Sequence, residues 1–195
     1  MFGRPSEARF NKGITPFHLL LAALMQNNKS EKLQNLVEKV DGYFKNETER
    51  RRLWSRPVEE GRNKGITPFY WLLAVLTCTP KSVKLQNHVE KVDGYFTDEK
   101  ERRRLWSRLA AGGPNKGKTP FYFLLVALSS HPKDERLQNL VERVGVYFKD
   151  ETERCRLWSR PAEAGKGKGK TPFYLLLVTL INNSKDEKLQ NLVET

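Results

Sequence analysis

The chain has 195 residues, with 35 Lys and Arg against 23 Asp and Glu, giving a formal net charge of +12. Its apolar share of 38% is concentrated at regular positions, which excludes a disordered chain. The longest apolar runs, such as Phe173 to Ile181, are too short to span a bilayer, so no membrane partner is expected.

Internal repetition organises everything else. Thr-Pro-Phe stands at Thr15, Thr67, Thr119 and Thr171, Leu-Gln-Asn starts at Leu33, Leu85, Leu137 and Leu189, and Leu-Trp-Ser-Arg starts at Leu53, Leu105 and Leu157, always at intervals of 52 residues. A fixed period of this size is the mark of stacked repeats sharing one core. The expected fold is an all-α tandem helical-repeat solenoid with about three helices per repeat. It forms a single array over 1–195, divided into units 5–56, 57–108 and 109–160 and a partial unit 161–195.

In the first unit, Thr15 is a suitable N-cap and Pro16 suits the first helical position. Phe17, Leu20, Leu21 and Leu24 then recur at helical spacing, predicting a first helix over 16–27 that is apolar almost all round and therefore sandwiched. A polar loop leads to Ser30, matched by Ser82, Asp134 and Asp186, each a capable N-cap for a second helix over 30–43. Gly42 and Gly94 fit its stop. Capping-box patterns at Asn46, Asp98 and Asp150 open a third helix over 46–55, and Pro57 and Pro161 follow its end in two units. The same segments are expected in every unit.

Gly13-Ile14-Thr15-Pro16-Phe17-His18 resembles the Gly-x-Thr-Pro-Leu-His opening of an ankyrin repeat, and the equivalent segments from Gly65, Gly117 and Gly169 match it with Tyr for His. Leu-x-x-Leu-Val-Glu of the second helix is similar to the family's second helix. The likeness covers about 30 residues of each unit. It implies stacked antiparallel helix pairs that bind other proteins without catalysis. The unit is longer than the family's, Leu20-Leu21 replaces a small Ala-Ala pair, and a third helix replaces the usual exit. A three-helix armadillo-type array is the alternative.

Several constellations carry candidate chemistry. Gly112 to Thr119 fits the phosphate-binding loop pattern, but a helix rather than a strand precedes it, and Ile14 and Ile66 stand where Lys is needed in equivalent loops. His18, His88 and His131 sit at three different repeat positions and are not spaced as metal ligands. No active site, metal or cofactor is expected. The basic residues, in contrast, fall into rows: Lys12, Lys64, Lys116 and Lys168; Arg50, Arg102 and Arg154; Arg52, Arg104 and Arg156. Such rows suit nucleic acid or an acidic protein surface, while the plainer reading is a solvated helix face. Trp54, Trp106 and Trp158 offer stacking faces for single-stranded nucleic acid, or, the stronger reading, core residues between repeats. Leu19, Trp71, Phe123 and Leu175 differ at one shared position, and either line a partner-binding groove or pack between helices.

The expected function is a non-catalytic ankyrin-like scaffold that binds another protein; the alternative is a basic array that binds nucleic acid. The final unit reaches Thr195 inside its second helix, which leads to an expectation of end-to-end self-association or of a longer array. Met1-Phe2-Gly3-Arg4-Pro5 lacks the apolar core of a secretion signal. Cys78 and Cys155 occupy different repeat positions and read as free thiols in a reducing compartment, so the expected location is cytoplasmic, or else nuclear.

Overall fold

A computed structural model describes residues 12–194; Met1 to Asn11, which include the N-terminal segment and the start of the first unit, and Thr195 lie outside the described residues. Eleven α-helices and no β-strand occur among the described residues. They are α1 (Pro16–Gln26), α2 (Glu31–Tyr43), α3 (Glu47–Ser55), α4 (Pro68–Cys78), α5 (Val83–Gly94), α6 (Glu99–Ser107), α7 (Pro120–Ser130), α8 (Glu135–Val146), α9 (Glu151–Ser159), α10 (Pro172–Ile181) and α11 (Glu187–Glu194). A 3-10 turn spans Gly113–Asn115. None of these helices is long and apolar enough to cross a membrane.

Local chemistry sets the boundaries. The hydroxyls of Thr15, Thr67, Thr119 and Thr171 accept from the amides of His18, Tyr70, Tyr122 and Tyr174, and a proline follows each cap. These bonds satisfy one of the donors that a helix start leaves unpaired. Ser30, Ser82 and Asp134 cap α2, α5 and α8, and Asn46, Asp98 and Asp150 cap α3, α6 and α9. The third helix ends at Ser107 in the second unit, where Leu109 replaces proline, just as at Ser55 and Ser159, so proline is not what stops it.

The second helix ends at Gly94 in the second unit, as expected, but a glycine does not stop it in the other two. α2 runs through Gly42 to Tyr43, and α8 runs through Gly145 to Val146. Neither these glycines nor Gly94 takes a positive φ. The last turn is instead extended by the amides of Tyr95 and Tyr147, which donate to the carbonyls of Val92 and Val144.

The apolar first helices form the central stack, α1 on α4 on α7 on α10, while α3, α6 and α9 each pack on the first helix of the following unit. Phe17, Phe69, Phe121, Leu21, Leu73 and Leu125 fill this core. Trp54 and Trp106 are fully buried, set edge-on against Phe17 and Phe69 at 4.8 and 4.9 Å; Trp158 is half-buried and meets Phe121 in the same way at 4.8 Å.

Backbone and side-chain ladders join successive units. The amides of Glu59, Ala111 and Glu163 donate to the carbonyls of Lys12, Lys64 and Lys116 at 3.1, 2.7 and 2.9 Å. Gly13, Gly65 and Gly117 make this approach possible: each has φ between 81° and 85°, and an added Cβ would come within 2.6 Å of the neighbouring loop's backbone. On the second helix, Gln86 Nε2 donates both to its own loop at Pro80 O (2.8 Å) and to the next unit's cap, Asp134 Oδ2 (2.8 Å). Gln138 repeats the arrangement with Pro132 O and Asp186 Oδ2.

Candidate interaction surfaces

The basic rows separate into three kinds of environment. Lys12 and Lys116 pair with Glu59, Glu60 and Glu163, while Lys64 and Lys168 are exposed; the backbone ladder of the loops brings the row together along one edge. Arg50 and Arg102 belong to the joints between units, their guanidinium groups lying 5.3 Å and 4.7 Å from the ring centres of Tyr95 and Tyr147. Arg154, the third of that row, is exposed.

Arg52, Arg104 and Arg156 sit elsewhere, on the third helices, and each is exposed. With Arg56, Arg108 and Arg160 they line a series of clefts. One of about 660 Å³ holds Arg52, Arg56 and Arg108; one of about 320 Å³ holds Arg52, Arg104 and Arg108; one of about 380 Å³ holds Arg104, Arg156 and Arg160. None of these six arginines is in an ion pair among the described residues. Each cleft also holds one glutamate: Glu49 in the first, in no ion pair among the described residues, Glu101 in the second, paired with Arg51 at 3.2 Å, and Glu153 in the third, paired with Arg103 at 3.1 Å. Partial burial and the like charge of Arg104 push the Arg108 pKa below its ordinary value. Arginines outnumber the single glutamate in each cleft, so the face carries an excess of positive charge, and an anion seated there relieves it.

The joints between units are polar seats in an apolar frame. Asp41 is fully buried and accepts from Trp54 Nε1 at 2.8 Å and from the Tyr95 hydroxyl of the next unit at 2.6 Å; Lys91 Nζ approaches it at 2.9 Å. Burial alone works to raise the Asp41 pKa, but the hydrogen bonds from Trp54, Tyr95 and Lys91 outweigh it and hold the carboxyl below its ordinary value. Asp93 repeats the seat with Trp106 Nε1 at 2.7 Å and the Tyr147 hydroxyl at 2.7 Å. Burial, then the bond to the aspartate, drives both tyrosine pKa values upward. In the third unit Gly145 stands where the aspartate belongs.

The position shared by Leu19, Trp71, Phe123 and Leu175 does not form a continuous exposed groove. Leu19 is 60% exposed and Trp71 half-buried, but Phe123 and Leu175 are 8% and 9% exposed. The Tyr70 ring covers Phe123 at 5.0 Å. Partner contact at Phe123 and Leu175 is therefore corrected to packing between helices.

Lys118 of the glycine-rich loop is tucked under the chain, 5% exposed, with Nζ toward Pro114 O and near the Tyr122 and Phe123 rings. Thr119 caps α7. Both side chains are thus used in holding the loop. His18 bonds Thr15 and Arg56 O, whereas His88 packs against Trp54 with Nε2 unpartnered. No group of His, Cys, Asp and Glu among the described residues is arranged for a metal ion. Cys78 and Cys155 are both free and exposed.

The buried aspartates, the glutamine ladder and the arginines at 56, 108 and 160 were not singled out in the sequence. All recur at the repeat interval, so the signal was present in the alignment of the units. Asp41-Gly42-Tyr43 and its copy, however, read as a helix end. The described residues form an all-helical fold of packed helices with arginine-lined clefts on its third helices. No protein-family model, curated protein or solved structure matches this chain.

Proposed function

We propose that this chain is a non-catalytic, ankyrin-like repeat scaffold whose arginine face binds an extended acidic segment of another protein. The observation that carries the reading is the run of unpaired arginines, Arg52, Arg104 and Arg156 with Arg56, Arg108 and Arg160, along serial clefts. Stacked first helices and paired loop backbones support a solenoid in which such a face is continuous. The nucleic-acid alternative draws on the same charge, but it is weakened by the tryptophans: Trp54 and Trp106 are buried and offer no face for base stacking.

The test is fluorescence anisotropy with a labelled oligoglutamate peptide and a single-stranded oligonucleotide of equal charge. The peptide is expected to bind, and the combined Arg52→Gln, Arg104→Gln and Arg156→Gln variant to lose it with melting unchanged. Preferential oligonucleotide binding with a steep salt dependence selects the alternative; binding of neither probe sinks both. End-to-end association between copies, or continuation of the chain into a longer array, remains part of the proposal. Phe173, Tyr174 and Ile181 are exposed at 41%, 47% and 73%, and sedimentation across a wide concentration range reads it.

A further inference from the structure

Two clefts are built alike between successive third helices, one between α3 and α6 and the next between α6 and α9. In the first, of about 320 Å³, Arg52 of one unit stands with Arg104 and Arg108 of the next; in the second, of about 380 Å³, Arg104 stands with Arg156 and Arg160. The acid of each cleft is already taken, Glu101 by Arg51 at 3.2 Å and Glu153 by Arg103 at 3.1 Å. Three guanidinium groups are therefore left in each cleft without an ion pair among the described residues. Arg108 reaches across the joint, its Nη1 donating to the Ser55 carbonyl at 3.5 Å. Thr67 and Thr119 are buried and line the clefts; each oxygen accepts one amide, and no acceptor takes its hydroxyl proton among the described residues.

Three unpaired cations around one small space call for more than a single negative charge. A carboxylate brings one, whereas a phosphate monoester brings about 1.5 to 2 at pH 7, with three acceptor oxygens on one centre. Guanidinium forks match those oxygens in pairs. A nucleic acid brings only one charge per phosphate, and its bases find no stacking face on the buried Trp54 and Trp106. Resting on the acidic-segment reading of the arginine face, we propose that each of these two clefts seats the phosphate of a phosphoserine or phosphothreonine, and that the bound segment carries two of them three residues apart. The hydroxyl of Thr67 or Thr119 is a further donor for each phosphate. The spacing follows from the stack. Packed helices stand about 8–10 Å apart, so successive clefts lie about one such step from each other. A polyproline-type segment has three residues per turn and returns every third side chain to one face after about 9 Å. Arg104, common to both clefts, then lies between the two phosphates.

The experiment uses the whole chain and labelled peptides of one length, read by fluorescence anisotropy. One carries two phosphoserines three residues apart, one the same two five residues apart, one a single phosphoserine, and one four glutamates, which match the charge of the paired form. The paired form at three residues is expected to bind roughly tenfold or more tightly than each of the others. Arg104→Gln should erase that advantage, while Lys39→Gln, an equal loss of charge at an exposed position of α2, should keep it, with the helical circular dichroism of both variants unchanged. Glutamate binding equal to that of the paired phosphopeptide overturns the phosphate seats and leaves the acidic-segment reading standing. Equal binding at five-residue spacing, an advantage that survives Arg104→Gln, or equal binding of a single-stranded oligonucleotide of the same charge also overturns the proposal. No binding of any peptide overturns both readings.

Discussion

Trp106 and Trp158 occupy the same place in successive units, each edge-on to a phenylalanine of its unit's first helix, at 4.9 and 4.8 Å. Trp106 is fully buried, and its indole N–H is bound to Asp93, which also holds Tyr147 of the next unit. Trp158 is half-buried beside a cavity, with Gly145 where the aspartate belongs. Identical local sequence, Leu-Trp-Ser-Arg in both, thus yields two environments. One difference lies 13 positions upstream, Asp93 in the one unit and Gly145 in the other. The teaching is that a repeat motif specifies where a side chain points, while its neighbours specify whether the site is closed.

That contrast is open to attack by mutation. The largest effect is expected from Trp106→Ala, which should cost about 3–5 kcal/mol as a large-to-small core change. Trp158→Ala should cost clearly less, and equal shifts in chemical denaturation would erase the distinction. Asp93→Gly copies the third seat into the second and leaves the Trp106 and Tyr147 donors without their acceptor. A loss of about 2–4 kcal/mol is expected, read by the same titration.

The first joint sharpens the comparison through pH. His88 packs on Trp54 there, and burial lowers its pKa to about 4; nearby Asp41 and Glu38 act to raise it and Lys91 and Lys84 to lower it. Burial likewise lowers His18 to about 4, against hydrogen bonds that raise it. Both folded values lie below the ordinary 6.5, so the unfolded chain binds more protons between them. Stability is complete above pH 6.5 and falls as the pH drops toward 4, by on the order of 2 kcal/mol per histidine. His88→Leu, the residue found at the equivalent positions 36, 140 and 192, should flatten part of that slope. The smallest effect belongs to Gly145→Asp, expected to change stability by less than about 1 kcal/mol, since the position is open and helical. A large loss would mean the third joint is already closed by packing.

Much of the architecture was legible because it rests on local rules. The Thr-Pro caps, the apolar spacing of Phe17 to Leu24 and the polar caps at 46, 98 and 150 placed the helices of the first unit within a residue of their observed ends. Burial of Trp54 and Trp106 followed from their recurrence beside leucine. The seats were not legible, because Asp41 and Tyr95 are 54 residues apart and meet only when units stack. For the same reason the row from Leu19 to Leu175 looked uniform in sequence but passes from exposed to covered in the folded chain. A side chain's exposure depends on packing between units that its own sequence position does not encode.

The glycine approach at the loops bears on how such a chain changes over time. Successive units grip each other at three heights, not all used at every joint: the loop backbones of Lys12, Lys64 and Lys116 at each joint, the glutamines Gln86 and Gln138 at the second and third joints, and the Asp–Trp–Tyr seats at the first and second. These grips share one spacing, so a residue gained or lost inside a unit would leave at least one of them out of step with the others. Divergence by substitution is tolerated, as Gly145, Leu109 and His88 show, but divergence in length is not. The unvarying interval of 52 residues is then a tolerance set by at least two fittings made together at every joint.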